Sequence, residues 1–179
     1  MYQLAQHQQE CRLIALSRSG IDHHSIEGFV LGLSDELLLL QYVSDFHLDG
    51  LMVLRIADIT DVRCSATCTF QRELLEHEGL LQQVPFDIGL DLRNWNTVLA
   101  QLSTMYPLMI LECENLDDPD FLIGRIDEFT PMAVAMQWFS GTARWDDELA
   151  ILAFDDITCC QAGTNYIAFY QRYFERTAH

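Results

Sequence analysis

The chain has 179 residues, half of them hydrophobic, and its formal net charge is -17. It contains ten arginines and no lysine. This length and composition allow a buried core, in one domain or in two small ones. The negative charge disfavours nucleic acids and anionic membranes as partners, because both are bound mainly through converging Lys and Arg side chains.

The longest nearly apolar stretches, residues 37–40 and 149–154, are far shorter than the roughly 20 residues of a membrane-spanning helix. The N-terminal residues have no basic region ahead of an apolar run, so they do not resemble a signal peptide. We therefore expect a cytoplasmic protein with no membrane association. In a reducing compartment its six cysteines should remain free thiols.

The first half of the chain predicts one short helix followed by β strands. The helix is expected over residues 2–9, and the strands over 11–17, 26–33, 37–44 and 51–57, which are rich in β-forming residues, with a weaker fifth strand after them. Residues 70–79 are expected to begin as a closing strand and become helical, with Gly79 as the stop. Residues 85–89 are the best linker candidate.

The second half predicts the same order of elements. Apolar residues at helical spacing indicate a helix within residues 92–106, with Asn94 or Asn96 as its N-cap and Pro107 beyond its end. Strands are expected over residues 107–113, 122–129, 133–140 and 149–154. Residues 165–175 alternate enough aromatic side chains to predict a last strand that runs into a helical tail.

The two halves also align with each other as an internal repeat. A shift of 96 residues places 26–30 (IEGFV) over 122–126 (LIGRI) and 37–44 (LLLLQYVS) over 133–140 (AVAMQWFS). Two extra residues in the second copy then bring 51–60 (LMVLRIADIT) over 149–158 (LAILAFDDIT). The alternative is that any two β hairpins share such a pattern, but the apolar positions match throughout, so we interpret the halves as a duplication.

Each copy has a leading helix, five short strands, a glycine in the second strand (Gly28 and Gly124) and a long fourth strand that ends in an apolar-Thr turn. This arrangement resembles the Sm-like small β-barrel over residues 1–70 and 92–170. The resemblance implies a mainly β fold with a few helices, made of two tandem Sm-like five-stranded barrels that are each preceded by a helix. The first barrel is expected in residues 1–80 and the second in 92–179, with residues 81–91 as the linker.

Sm-like proteins commonly form rings by pairing the edge strands of neighbouring barrels, and many hold uridine-rich RNA between two loops. Where the family usually has Asp and Asn around the third strand, this chain reads SDEL at 34–37 and TPMA at 130–133. Its turns at 61–64 and 159–163 also depart from the family's basic, glycine-bearing turn. The resemblance therefore implies strand-edge association rather than RNA binding, and an RNA-binding alternative would use Arg63, Arg125 and Arg144.

Few side chains form a pattern typical of a metal or catalytic site. Asp22, His23 and His24 can bind metals, and with His47 of a neighbouring loop they would form the site in a further alternative, a small metal-dependent protein. Adjacent histidines rarely converge on one ion, however, so a solvated turn is the preferred interpretation. Cys64 and Cys68 would be about 13 Å apart on an extended segment, too far to bridge. Since the sequence also has no nucleophile elbow and no phosphate-binding glycine loop, we expect no cofactor and no enzymatic activity.

The aromatic residues of the second copy are the most suggestive candidates for a binding site. Exposed aromatic side chains beside acidic residues are typical of a surface that binds a basic or amphipathic protein, although packing in the core is the alternative. The leading hypothesis is a non-enzymatic protein-interaction module that self-associates or binds a protein through a strand edge or through its C-terminal aromatic residues. The partner-binding candidates are Trp138, Trp145, Tyr166, Tyr170 and Tyr173.

Overall fold

A computed structural model describes residues 2–177 of the chain. The chain separates into two compact units, Met1–Arg93 (unit 1) and Asn94–His179 (unit 2). Each unit contains a leading helix, five antiparallel strands and a second helix after the last strand. None of the helices in residues 2–177 combines the length and the apolar composition needed to cross a lipid bilayer.

Unit 1 pairs its strands in the order β5-β1-β2-β3-β4. Short 3-10 turns at Ile56–Asp58 and Leu81–Gln83 follow β4 and α2. The elements of unit 1 are α1 (Tyr2–Gln9), β1 (Leu13–Arg18), β2 (Asp22–Leu33), β3 (Leu37–Ser44), β4 (His47–Arg55), β5 (Asp61–Arg63) and α2 (Ala66–His77).

Unit 2 pairs its strands in the equivalent order, β10-β6-β7-β8-β9. The register shifts at matching places, between Val30 and Gly32 in β2 and between Ile126 and Glu128 in β7. The elements of unit 2 are α3 (Trp95–Met105), β6 (Met109–Cys113), β7 (Asp120–Phe129), β8 (Ala133–Phe139), β9 (Trp145–Ala153), β10 (Cys159–Ala162) and α4 (Asn165–Thr177).

The repeated glycine of the second strand is required by a close approach of two backbones. A Cβ atom built on Gly28 would lie 2.6 Å from the carbonyl oxygen of Gln41, and one built on Gly124 would lie 2.0 Å from that of Gln137. Both distances are shorter than any ordinary carbon–oxygen contact, and a backbone carbonyl cannot rotate away as a side chain can. The two units therefore share a residue-level constraint as well as an order of elements.

The repeated threonine at the end of the Asp-Ile-Thr sequence fastens the chain to the first strand of each unit. The Thr60 N–H donates to the Ser17 carbonyl at 2.8 Å, and the Thr60 hydroxyl donates to the same oxygen at 3.0 Å. Thr158 makes the same two hydrogen bonds to the Glu112 carbonyl, with the same two lengths. The turn before the fifth strand is thus fixed in one way in both units.

The mainly β fold with helices is confirmed, and the four strands expected in each half form close to their predicted positions. The weaker fifth strands are β5 and β10. Within residues 2–177, the first and last strands of each five-strand order do not pair with each other. The sheet of each unit is therefore open, and the structure does not show the two tandem barrels that were expected. In unit 1 the closing strand would be β5, which has three residues and pairs with β1.

The segments expected to begin as strands at 70 and 165 are helical from the start. Ser65 caps α2 by accepting the Cys68 N–H on its hydroxyl, and Thr164 accepts the Ile167 N–H in the same way before α4. A side-chain acceptor at this position satisfies an N–H that the first turn leaves free, and so favours a helix over a strand. Cys68 consequently lies in a helix and not on an extended segment, while Gly79 follows α2 with a positive φ of 71° as expected of a helix stop.

Residues 81–91, expected as a linker, pack on unit 1. The Phe86 ring lies 5.8 Å from the Phe29 ring of β2 in an edge-to-face arrangement. Leu92, which is buried, approaches β2 so closely that a Cβ on Gly32 would lie 2.9 Å from its Cδ1. This segment therefore covers part of one face of the β2–β3–β4 sheet.

Candidate interaction surface of unit 2

Helix α4 is held on the sheet of unit 2 by an aromatic cluster. Phe139 of β8 is buried, and its ring centroid lies 5.1 Å from Trp145, 5.0 Å from Tyr170 and 4.9 Å from Phe174. The Tyr170 hydroxyl also donates to the Gly141 carbonyl at 3.1 Å, which ties the helix to the turn between β8 and β9. These contacts follow from the helical spacing of Tyr170 and Phe174, which places both rings on one side of α4.

Beside this cluster lies a groove of about 590 Å³, here called the aromatic groove. Arg125 of β7 lies in it, with its guanidinium carbon 5.2 Å from the centre of the Trp145 ring. Two guanidinium N–H groups, on Nε and Nη2, donate to Gln137 Oε1 at 2.9 and 2.6 Å. The residues that line the groove are Arg125, Gln137, Ala143, Trp145, Tyr173, Phe174 and Thr177.

Strand β9 forms an edge of the unit 2 sheet. It pairs with β8 on one side, and no described strand of unit 2 lies on its other side. Leu149 and Ile151 project from it with 43% and 66% of their surface exposed. An edge strand with exposed branched apolar side chains is a favourable place for another chain to pair.

The arginines of the two units differ in their ion pairs. In unit 1, Arg12, Arg55, Arg63, Arg72 and Arg93 each pair with a carboxylate. Within residues 2–177, the four arginines of unit 2 form no salt bridge, although Arg125 donates to Gln137 and Arg172 lies over the Phe169 ring. All four line the aromatic groove or are next in sequence to a residue that does: Arg125, Arg144, Arg172 and Arg176.

The five aromatic candidates from the sequence separate into three groups. Trp145 and Tyr170 belong to the cluster that holds α4, and Trp145 also lines the groove with Tyr173. Tyr166 is half exposed, and its hydroxyl lies 3.3 Å from that of Tyr170, a hydrogen bond that raises the pKa of Tyr166. Trp138, next to Phe139 on β8, is not among the residues that line the groove.

The three RNA-binding candidates do not lie together. Arg63 is on β5 of unit 1, where its Nε lies 2.9 Å from Asp61 Oδ2. Arg125 lies in the groove of unit 2, and Arg144 is exposed in the turn that precedes Trp145. The structure thus brings Arg125 and Arg144 into one unit.

The metal candidates make local hydrogen bonds. Asp22 Oδ1 accepts the His24 backbone N–H at 3.0 Å and lies 2.8 Å from His24 Nδ1, and the first of these bonds is the main reason that the pKa of Asp22 is lowered. His47 Nδ1 lies 2.7 Å from the Asp45 carbonyl, and His23 is exposed in β2. Among residues 2–177, no group of three or more His, Cys, Asp or Glu side chains is placed to hold a metal ion.

The sequence reasoning missed three residues of this surface: Gln137, Leu149 and Ile151. The repeat alignment contained no signal for Leu149 and Ile151, because it places them over Leu51 and Val53, which are also apolar but are buried in the structure. The same alignment places Arg125 over Phe29. A charge in place of a core phenylalanine marks a face that has changed its surroundings between the copies.

The chain was compared with protein-family models, curated proteins and solved structures, and none of them matches it.

Proposed function

We propose that this chain is a non-enzymatic protein-interaction module built from two Sm-like units, and that unit 2 binds a protein on its β9 edge and in the aromatic groove. The observation that carries the proposal is Ile151, an apolar side chain 66% exposed in the middle of an edge strand. Backbone pairing along such an edge provides affinity, and side-chain contacts on the neighbouring face provide specificity.

The groove adds the kind of residues that dominate protein interfaces. Trp, Tyr and Arg are enriched among the side chains that contribute most to binding, and Trp145, Tyr173 and Arg125 all line the groove. The rings are fixed by their contacts with Phe139 and Phe174, so little side-chain entropy would be lost on binding. The partner is either a second copy of the chain or another protein.

Site-specific photo-crosslinking in cells tests this proposal. A benzophenone amino acid replaces Ile151, and in a control protein it replaces Met132, which is 70% exposed in the turn between β7 and β8. We expect position 151 to give a protein adduct of defined mass that position 132 does not give. If the mass of the adduct shows that it joins two copies of the chain, light scattering of the purified protein shows whether these copies form a stable assembly.

Two outcomes would contradict the proposal. Equal adducts at positions 151 and 132 would mean that β9 is ordinary surface. Adducts with RNA at position 151 would favour the RNA-binding alternative, in which Arg125 and Arg144 contact phosphates and Trp145 stacks on a base.

A further inference from the structure

The two units present the same sheet face in two different states. In each unit, two rows of paired residues run across the second, third and fourth strands on this face. The rows of unit 1 are Phe29–Gln41–Leu51 and Gly32–Leu39–Val53, and their counterparts in unit 2 are Arg125–Gln137–Leu149 and Glu128–Ala135–Ile151.

In unit 1 this face is occupied by the chain itself. Phe86 packs on Phe29 of the first row, and Leu92 packs beside Gly32 of the second row and lines the same cavity as Leu39. The segment reaches the face directly after α2, because Gly79 reverses the chain and the Leu80 N–H donates to the Leu75 carbonyl. It is an irregular segment, with the Ile88 N–H donating to the Pro85 carbonyl and a positive φ of 60° at Gly89, and its apolar residues are Val84, Phe86, Ile88, Leu90 and Leu92.

In unit 2 no described segment takes this place. Ile151 is 66% exposed where its counterpart Val53 is fully buried. The aromatic groove lies at the end of α4, beside Thr177, which corresponds to the position in unit 1 from which the covering segment leaves α2. The open face of unit 2, meaning the Arg125 and Glu128 rows together with the groove, is therefore the counterpart of the face that residues 84–92 partly cover in unit 1.

The charges on the open face restrict the chemistry of its occupant. Arg125 replaces Phe29 in the first row, and Arg144 and Arg176 adjoin residues of the groove; none of the three forms a salt bridge within residues 2–177. A guanidinium group that faces an apolar groove is best matched by a carboxylate, which it can bind through two hydrogen bonds. The rest of the exposed face consists of Leu149 and Ile151, which match apolar side chains, and Glu128, which matches a basic one.

We infer that the open face of unit 2 binds a short, irregular segment of a partner protein that carries several apolar residues and an acidic residue placed opposite Arg125. This inference rests on the proposed function and specifies the partner's chemistry. The covering segment of unit 1 has this composition, because Asp87 and Asp91 lie among its apolar residues. A peptide of that sequence is therefore a suitable probe for the open face.

The test measures binding of a fluorescent peptide with the sequence of residues 80–93, LLQQVPFDIGLDLR, to the full-length protein by fluorescence anisotropy. In unit 1 the covalently linked segment has an effective concentration in the millimolar range, so a peptide added at much lower concentration does not displace it. The added peptide should therefore bind the open face of unit 2. We expect saturable binding that Ile151→Lys weakens at least about tenfold. Met132→Lys, an equally drastic change at an exposed position outside the face, should leave binding unchanged.

A charge exchange tests the acidic residue. The peptide with Asp87→Lys and Asp91→Lys should bind the wild-type protein about tenfold more weakly than the original peptide, and Arg125→Glu should reverse this order. Arg125 is exposed, so Arg125→Glu should fold, and circular dichroism checks that it does. A reversal cannot arise from unfolding, which would remove binding of both peptides.

Three results would overturn the inference. The first is no saturable binding of either peptide, and the second is equal binding of both peptides to wild type and to Arg125→Glu. The third is that single-stranded oligouridylate binds more tightly than the peptide and that this binding is lost in Arg125→Glu, which would make the open face an RNA site. A position-151 protein adduct in cells together with no peptide binding would leave the proposed function standing and reject only this partner chemistry.

Discussion

At the scale of single residues, Thr158 is the clearest case of a side chain with a defined structural role. It is fully buried; its hydroxyl accepts the Glu114 N–H at 3.2 Å and lies 3.0 Å from the Glu112 carbonyl and 2.7 Å from Glu114 Oε2. Thr60 makes the corresponding contacts with Ser17 and Ser19 but is exposed, so water can replace them. The same motif should therefore contribute unequally to stability in the two units.

We expect Thr158→Val to lower the free energy of unfolding by about 1–3 kcal/mol, because it leaves the Glu114 N–H without its acceptor in a poorly solvated place. Thr60→Val should cost about 1 kcal/mol or less, and Thr158→Ser, which keeps the hydroxyl, should cost less than Thr158→Val. Urea unfolding followed by circular dichroism measures all three. Equal losses at positions 60 and 158 would contradict this account of burial.

Residue-scale features also show what the sequence could reveal about the site. Arg125 was among the arginine candidates, and the repeat aligns it with Phe29. Strand alternation, however, places it on the same face as the buried Ile123, so alternation alone did not predict that it is exposed. Tyr173 was among the aromatic candidates, but its place with Phe174 and Arg125 in one groove could not be predicted, because it depends on how α4 packs on the sheet. Contacts between distant segments are tertiary and leave no periodic signal in either segment.

At the scale of elements, the strands of both units were predicted, and the closing helices were predicted with a wrong start, as strands that become helical. Apolar alternation and turn residues indicate where strands lie, and the repeat supports each strand with an equivalent segment in the other copy. The aromatic residues of 165–175 lie three and four positions apart, at 166, 169, 170, 173 and 174, which is helical spacing. The expected strand at 165 therefore rested on a wrong reading of the period, and Thr164, which accepts the Ile167 N–H, is a second, local signal for a helix start.

The attachment of α4 to unit 2 should depend on Phe174 and little on Phe169. Phe174 contacts the rings of Phe139, Trp145 and Tyr173, whereas Phe169 is 62% exposed and lies against Arg172. Phe174→Ala should cost about 2 kcal/mol, below the value for a fully buried phenylalanine because this ring is only partly buried. Phe169→Ala should cost about 0.5 kcal/mol or less.

Amide hydrogen exchange measures this directly, since weaker docking should speed exchange throughout α4 in Phe174→Ala while the β7 and β8 amides stay protected. Faster exchange confined to residues next to position 174 would argue that α4 is held mainly by Ile167 and Tyr170. Similar exchange in the Phe169→Ala and Phe174→Ala proteins would contradict the role assigned to the aromatic cluster.

At the scale of the whole molecule, the chain uses one pattern of strands twice, and the same sheet face has different surroundings in the two units. Unit 1 covers part of its sheet face with its own residues 84–92, and five of its arginines are paired with carboxylates. Unit 2 keeps the glycine and threonine contacts that fix the strands but leaves the equivalent face exposed. The conserved contacts maintain the fold, so the exposed face is free to acquire a binding role.

The net charge of -17 should make the stability of the whole protein depend on salt. With far more carboxylates than arginines, the folded state holds like charges closer together than the unfolded chain does, and this repulsion lowers the free energy of unfolding. Raising NaCl from about 20 mM to about 300 mM shortens the Debye length several-fold and screens it. We therefore expect the melting temperature to rise with NaCl, measured by differential scanning calorimetry, and to rise similarly with KCl, because the effect is one of screening. A melting temperature that falls with salt would mean that the ion pairs of unit 1 outweigh the general repulsion.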